Sequence, residues 1–212
     1  MFSIIQAAGW PIWPLIACSI LGLALIIERF ISLKTAKIVP PQLLDEVINA
    51  SRNELPKPEV IEQLATNSAL GEVLASGLRA RQARPDSSDE ELRNALESAG
   101  RVVSHRLERY LTALATIASV APLLGLFGTI VGMIEIFGSQ TPTGSAGVSN
   151  PGQLAHGISI ALYNTAFGLI IAIPALIFWR YFRARVDAYL LALELAGERL
   201  LQHLGTLRRN ES

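Results

Sequence analysis

The chain has 212 residues, half of them hydrophobic, and its 18 Lys and Arg residues balance its 18 Asp and Glu residues. A chain without a block of like charge gives no indication of nucleic-acid binding. Its single cysteine, Cys18, excludes an internal disulfide and a cysteine-based metal cluster. The charge is unevenly distributed, because residues 1–27 carry none and residues 110–179 carry only Glu135. This distribution indicates a membrane protein.

Three stretches are apolar over the length of about 20 helical residues that a bilayer requires. Lipid offers the backbone no hydrogen-bond partner, so each stretch is expected to be helical. We therefore predict an all-α membrane protein with an N-terminal segment, three transmembrane helices, a cytoplasmic helical segment, an outer loop and a cytoplasmic C-terminal helix. In chain order these cover 1–9, 10–31, 32–110, 111–137, 138–153, 154–179 and 180–212.

Positive charge near the three spans lies on one side of the predicted membrane, which sets the orientation. The residues concerned are Arg29, Lys34, Lys37, Arg101, Arg106, Arg109, Arg180, Arg183 and Arg185. The N-terminus is therefore expected on the periplasmic side of a bacterial inner membrane and the C-terminus in the cytoplasm. The first span lacks a basic segment before it, so it is expected to be retained rather than cleaved as a signal peptide.

The cytoplasmic segment shows helical periodicity, with helices predicted at about 42–53, 59–66 and 69–83. Residues 84–86, Arg-Pro-Asp, break the third of these. Ser88 and Glu91 have the spacing of a capping box. No stop signal follows before Gly138, so one helix is predicted from 88 through the second span.

Two long helices continue into the cytoplasm with apolar stripes at helical spacing. One stripe contains Leu92, Leu96, Ala99, Val103, Leu107, Tyr110 and Leu114; the other contains Val186, Leu190, Leu193, Gly197, Leu200, Leu204 and Leu207. The stripes can pack on each other within one subunit, or they can form a vestibule shared between subunits.

Small residues recur at four-residue spacing in the second and third spans, which allows helices to approach closely in lipid. The predicted packing positions are Ala121, Gly125, Gly128, Gly132, Ala161, Gly168 and Ala172. The first span is rich in Leu and Ile instead, and we expect it to face lipid while the other two form an inner layer.

Five polar side chains within these two spans are candidates for a proton path: Thr129, Glu135, Ser159, Asn164 and Thr165. Each has an ordinary alternative. A threonine hydroxyl can bond a carbonyl of its own preceding turn, and Glu135 can reach the outer water. Asn164 is costly to bury and needs a partner. His156 is expected to be solvated at the outer interface.

Nothing in the sequence indicates an enzyme. The chain has no phosphate-binding loop with Lys-Ser/Thr, no His-Glu-x-x-His and no Gly-x-Ser-x-Gly. No cofactor or metal is expected, and energy for any work has to come from an ion gradient or a partner.

Two segments resemble the MotA/TolQ/ExbB proton-channel family, most closely its ExbB and TolQ branch. They are APLLGLFGTIVGMIEIF at 121–137 and GISIALYNTAFGLIIAIPAL at 157–176, supported by IIERF at 26–30. The resemblance covers the topology and both inner spans, whereas the cytoplasmic segment is similar only in length and helical character.

The resemblance implies a ring-like homo-oligomer, a homopentamer, whose second and third spans line a central pore. Inside it lie the single-span helices of an ExbD- or TolR-like partner, in which a membrane aspartate carries the proton. The work passes to a periplasm-spanning effector such as TonB or TolA. Thr129 and Thr165 match the threonines that line the pore in that branch.

Position 160 departs from the family pattern. ExbB and TolQ usually carry a glutamate on the third span, and the aligned residue here is Ile160. We therefore expect the partner's aspartate to carry the proton alone, with Thr129, Thr165 and Asn164 as its polar contacts.

The expected function is that of a pore subunit in a proton-driven motor, with TonB-dependent uptake as its work. The alternatives are a TolQ-type motor for envelope maintenance and a membrane scaffold that conducts nothing. A secondary transporter is disfavoured because three spans without an inverted repeat do not fit that class. The third-span motif disfavours a flagellar stator.

Overall fold

The computed structural model describes residues 9–52, 55–85, 87–138 and 151–211. The predicted segment 1–9 and the outer loop 138–153 lie almost entirely outside the described residues. All regular structure in the described part is helical. The helices are α1 (Ile12–Ser32), α2 (Thr35–Ile38), α3 (Leu43–Ala50), α4 (Pro58–Asn67), α5 (Ala69–Ala83), α6 (Asp89–Glu108), α7 (Leu111–Gly138) and α8 (Pro151–Glu211).

Three helical stretches are long and apolar enough to cross a membrane. One is α1, one is α6 together with α7, and one lies within α8. This confirms the prediction of an all-helical chain with three helices of membrane-spanning character.

The largest departure from the predicted helix boundaries lies at the start of the second span. The single helix predicted from 88 through the second span is divided by a turn at Arg109 and Tyr110. Arg109 keeps nearly helical angles (φ −43°, ψ −46°), and the amide of Leu114 donates to the carbonyl of Tyr110 at 3.2 Å, so the division is slight. The other long helix, α8, continues without interruption from the third span to the C-terminal segment, past Pro174, as the sequence predicted; it begins at Pro151, three residues before the predicted start of the third span.

The chain forms two compact units. The first unit contains the residues up to Glu28 and Tyr110–Tyr181, and the second contains Arg29–Arg109 and Phe182–Ser212.

In the first unit, α1 packs against both other apolar helices. Leu15 is buried with Ala121 of α7 and Ala172 of α8. Gly22 of α1 lies beside Ile117, and the ring of Trp10 meets that of Phe127 edge-on at 5.8 Å between centroids. The outer face of α1 presents large apolar side chains, such as Ile20 and Leu23, as expected for a helix that borders lipid.

In the second unit, α5 lies at the centre of the apolar core. Its residues Leu70, Leu74 and Leu78 are almost completely buried. Gly77 leaves room for leucines from two neighbouring helices, since a methyl group there would lie 2.9 Å from Leu96 of α6 and 3.4 Å from Leu200 of α8. The apolar stripes of α6 and α8 thus pack within a single chain, the first of the two arrangements that the sequence allowed.

The start of α6 is fixed by the capping box that the sequence predicted. The Ser88 hydroxyl accepts from the amide of Glu91 at 3.2 Å, and the Glu91 carboxylate accepts from the amide of Ser88 at 3.1 Å. Both bonds satisfy amide groups that have no partner inside the helix, so this prediction is confirmed.

Candidate functional site

The second and third apolar helices, α7 and α8, touch through their backbones. A methyl group at Gly125 would lie 2.7 Å from the backbone oxygen of Asn164, and one at Gly168 would lie 2.6 Å from the backbone oxygen of Ala121. Real Cβ atoms do not approach other atoms so closely, so glycine at 125 and 168 sets the distance between these helices.

Asn164 fills the space beside a second glycine of α7. Its side chain is 2 % exposed, and its Cβ, Cγ and Nδ2 atoms would lie 2.8–2.9 Å from a methyl group at Gly128. One turn further along α7, a methyl group at Gly132 would lie 3.3 Å from the Cβ of Ala161. The contacts pair rising residue numbers in α7 with falling ones in α8, so the helices are antiparallel.

The small residues of α7 and α8 therefore face each other within one chain. Of the seven predicted packing positions, Gly132 is half-buried and the other six are buried: Ala121, Gly125, Gly128, Ala161, Gly168 and Ala172. Any lumen between subunits has to be lined by the faces that flank this contact.

Thr129 and Thr165 lie at the border of the packed face, and both are half-buried. At 100° per residue, each lies about 60–70° from the centre of its helix's packed face, in the same rotational sense. In an antiparallel pair, positions displaced in the same sense lie on the same flank. The two threonines therefore share one side of the α7–α8 pair.

The hydroxyl of Thr129 donates to the carbonyl of Leu126 at 2.6 Å. This is the ordinary threonine bond to the preceding turn of its own helix. The bond leaves the oxygen's lone pairs able to accept a hydrogen bond from a group outside the helix.

Glu135 continues the small-residue series of α7. The positions 121, 125, 128, 132 and 135 are spaced by four, three, four and three residues, so the backbone position of Glu135 is on the face of α7 that packs against α8. Its side chain is exposed. Because Gly132 lies opposite Ala161, Glu135 lies within about one helical turn of the level of position 160.

The other candidates are less closely associated with this pair. Ser159 is exposed, and its position is on the opposite side of α8 from the packed face. The side chains of His156 and Ile160 lie outside the described residues, as does most of the outer loop.

The exposed face of α7 carries two further hydroxyls nearer its N-terminal end. Thr116 donates to the carbonyl of Thr112 at 2.9 Å, and Ser119 donates to the carbonyls of Ala115 and Thr116 at 3.1 and 3.0 Å. These hydroxyls lie away from α8, so they do not take part in the helix contact.

The sequence did not indicate two polar contacts within the second unit. Arg29, one of the positive charges used to set the orientation, is 3 % exposed and donates to the carbonyl of Leu107 at 2.8 Å. The hydroxyl of Tyr189 donates to the carbonyl of Leu33 at 3.0 Å and lies 3.0 Å from the hydroxyl of Thr35. Tyr189 falls between Val186 and Leu193 on the buried face of α8, and that spacing could have revealed it.

Comparison with known proteins identifies one matching family model. The model of the MotA/TolQ/ExbB proton channel family matches residues 65–195. The match covers more than half of the chain and includes every small and hydroxylated residue of the α7–α8 contact.

Three relatives illustrate the similarity. An ExbB-like biopolymer transport protein of Synechocystis is 36 % identical over 181 residues, which is 84 % of this chain and 83 % of that protein. The biopolymer transport protein exbB1 of Vibrio cholerae is 34 % identical over 80 % of this chain and 73 % of its own length. The Tol-Pal system protein TolQ of Haemophilus influenzae is 33 % identical over 52 % of this chain and 48 % of its own length.

Proposed function

We propose, since this chain belongs to the MotA/TolQ/ExbB proton channel family, that it is the pore-forming subunit of an inner-membrane motor driven by the proton-motive force. The observation that carries the proposal is the α7–α8 pair, in which glycines hold two apolar helices together and Thr129 and Thr165 share one flank. The pair presents hydroxyls on a defined side of an otherwise apolar surface.

In this proposal the chain crosses the membrane three times, with its N-terminus in the periplasm and its C-terminus in the cytoplasm. Arginine and lysine residues at the relevant ends of α1, α7 and α8 support this orientation. The second unit, which carries nearly all the charge, then lies in the cytoplasm.

Several copies, five by analogy with the family, form a ring whose lumen is bordered by the threonine flank of each α7–α8 pair. The lumen holds the single-span helices of an ExbD- or TolR-like partner, whose membrane aspartate carries the proton. Moving one proton through 100 mV releases about 2.3 kcal/mol, which is the energy available for each step. Hydroxyls in the lumen lower the cost of placing a carboxyl group there. A hydroxyl that keeps the bond to its own helix can accept from the protonated carboxyl, and one that rotates away from that bond can donate to the carboxylate.

Asn164 has a different role from the threonines in this proposal. Its side chain is sealed between α7 and α8 beside Gly128 rather than turned towards a lumen. It therefore holds the two helices in register, and it affects the proton path through the placement of Thr165, the next residue of α8.

Glu135 supplies a carboxylate of this subunit at the outer end of the path, about 120° around α7 from Thr129. Position 160 is isoleucine where similar proteins carry glutamate, yet Glu135 lies on the neighbouring helix within about one turn of that level. An acid within a span is costly and usually functional. Ser159 lies on the far side of α8 and contacts neighbouring subunits instead.

The work is delivered to a periplasm-spanning effector. The names of the Synechocystis and Vibrio relatives, which describe biopolymer transport, favour a TonB-like effector. The similarity to a TolQ protein keeps a TolA-like effector and envelope maintenance as the alternative. A scaffold that conducts nothing is the second candidate, since the small residues of the two spans are used for packing within one chain.

The test is proton flux through the protein co-purified with its single-span partner and reconstituted into liposomes. The variants are Thr129→Val, Thr165→Val and both together, because valine keeps the shape and removes the hydroxyl. The matched control is Thr206→Val, since Thr206 makes the same bond to its own helix, to the carbonyl of His203, but lies in the second unit. We expect the double variant to lose flux and the control to keep it. Full flux in the double variant would contradict the threonine path, and no flux in the unaltered complex would favour the scaffold.

A further inference from the structure

The second unit contains a cleft between α6 and the C-terminal part of α8. Its volume is about 390 Å³, and its floor is apolar: Val73, Leu96, Leu190, Leu193 and Leu201. Gly100 and Gly197 also line the cleft. A methyl group at Gly100 would have nothing within 4 Å, so the cleft is open at that position.

The same part of α8 exposes an apolar ridge on another side. Leu191 is 56 % exposed and Leu195 is 55 % exposed, and they are spaced by one helical turn. Arg199 follows one turn later and is also exposed. Leu191, Leu195 and Arg199 form this ridge.

The charges at the rim of the cleft complement the ridge. Arg93 pairs with Glu198 at 3.4 Å, and Arg101 pairs with Glu97 at 3.7 Å. Glu194 also lines the cleft, and within the described part of the chain neither it nor Arg199 takes part in an ion pair or hydrogen bond. The cleft thus carries the acidic side chain of Glu194, and the ridge ends in the basic side chain of Arg199.

The cleft and the ridge lie at the same level along α8. The cleft uses α8 residues from Leu190 to Leu201, and the ridge runs from Leu191 to Arg199. In a ring of copies that share one membrane, equivalent residues lie at the same depth, because rotation about the membrane normal does not change depth. The ridge of one copy therefore meets the cleft of its neighbour without any axial shift.

The directions of the two surfaces also fit a closed ring. At 100° per residue, the ridge and the α8 side of the cleft point about 120° apart around the helix. When two different surfaces of the same protein bind each other, a rotation relates each copy to the next, and the copies can close into a ring. If the two surfaces point in opposite directions, the copies form a straight filament instead.

We propose that the cleft of the second unit is the docking site for the ridge of a second copy of this chain. Leu191 and Leu195 enter the cleft over Gly100 and Gly197, and Arg199 approaches Glu194. This inference rests on the ring assembly of the proposed function, and it assigns that assembly a contact in the second unit, beyond the membrane-spanning part of α8.

The test is disulfide cross-linking of full-length protein in native membranes, in a Cys18→Ser background. Two versions of the chain, Leu195→Cys and Gly100→Cys, are co-expressed and oxidised with copper phenanthroline. We expect a mixed dimer that neither version forms alone, and a chain with both substitutions should give a ladder of oligomers. Val60→Cys, on another exposed apolar position of the second unit, replaces Leu195→Cys in the control and should give no dimer.

A charge exchange makes the test independent of cysteine placement. Arg199→Glu in the Leu195→Cys version should lower the yield of mixed dimer by about two- to fivefold, as expected for an exposed ion pair, and Glu194→Arg in the Gly100→Cys version should restore it. Absence of the mixed dimer in proteins that melt like the parent would overturn the inference, as would a dimer from one version alone or cross-linking of the Gly100→Cys version to another protein. Proton flux separates the two proposals: cross-linking without flux removes the proposed function only, and flux without cross-linking removes the docking site only.

Discussion

The side chain of Asn164 occupies the space that any side chain at position 128 would need. A methyl group at Gly128 would lie 2.8 Å from the Cβ and 2.9 Å from the Nδ2 of Asn164. The two residues lie on antiparallel helices and fix their register in an apolar environment. Because the adjacent residues Thr129 and Thr165 are candidates for the proton path, this contact also determines where their hydroxyls lie.

Gly128→Ala is expected to destabilise the protein by about 1–3 kcal/mol, because an extra methyl group overfills a tight contact. Thermal unfolding in detergent measures this change. Gly100→Ala is the control, since a methyl group at 100 meets nothing within 4 Å and alanine favours the helix by about 0.5–1 kcal/mol. Equal effects of the two substitutions would contradict the close contact.

Asn164→Ala should relieve part of the effect of Gly128→Ala, because it removes the Cγ and Nδ2 atoms that the new methyl group would meet at 2.9 Å, while the Cβ at 2.8 Å remains and can shift once the amide is gone. A double-mutant cycle should therefore give a coupling energy of about 0.5–3 kcal/mol between the two positions. Additive effects would mean that the two residues do not share a contact.

Ser88→Ala is expected to destabilise the second unit by about 1 kcal/mol, because it removes the hydroxyl that accepts from the amide of Glu91. The thermal midpoint followed by helical circular dichroism reports this loss. Ser98→Ala is a matched control, since Ser98 is exposed in the middle of the same helix and accepts only from Arg101. A larger effect at 98 than at 88 would argue against the capping box.

Tyr189→Phe should cost about 1–3 kcal/mol, because the carbonyl of Leu33 loses its buried donor while the ring remains. Tyr163→Phe removes a hydroxyl from an exposed residue of the first unit and should have little effect. Chemical unfolding of both variants distinguishes a polar contact from simple ring packing. Similar stability of the two variants would indicate that the Tyr189 hydroxyl contributes nothing.

Glu135→Gln tests the proposal that this subunit contributes a carboxylate of its own. The amide has nearly the same shape but cannot exchange a proton near neutral pH, so proton flux in the reconstituted complex should fall. Glu90→Gln, at an exposed position in the first turn of α6, should leave the flux unchanged. Unaltered flux in Glu135→Gln would indicate that the partner's aspartate carries the proton alone.

The sequence predicted those parts of the fold that depend on local chemistry. The lengths of the three apolar helices follow from bilayer thickness, and the start of α6 follows from Ser88 and Glu91. The turn at Arg109 and Tyr110 could not be predicted, because neither glycine nor proline marks it. The helical continuity of α8 beyond Trp179 was predicted from the apolar stripe that repeats at helical spacing after the third span, because a change from apolar to charged residues marks the edge of a membrane and not the end of a helix.

The sequence predicted which residue types form the candidate site, but it did not predict how those residues are arranged. Four-residue spacing indicates a face of small side chains, but it does not say which helix covers that face. The pairing of Gly125 and Gly168 across one chain needed the structure. Asn164 was predicted as a polar contact of the proton path. Its burial beside Gly128, which the sequence did not indicate, is the basis for the proposal that it acts through the helix pair.

The claim that the flank of α7 and α8 carrying Thr129 and Thr165 borders a water-filled lumen is tested most directly by chemical accessibility. In the assembled complex, with Cys18→Ser as background, the reaction rate of a small charged thiol reagent is measured for Thr165→Cys and for Ile170→Cys, whose parent side chain is 64 % exposed on the side of α8 opposite the packed face. The lumen predicts that Thr165→Cys reacts and Ile170→Cys does not. A rate for Thr165→Cys no greater than that for Ile170→Cys would contradict it.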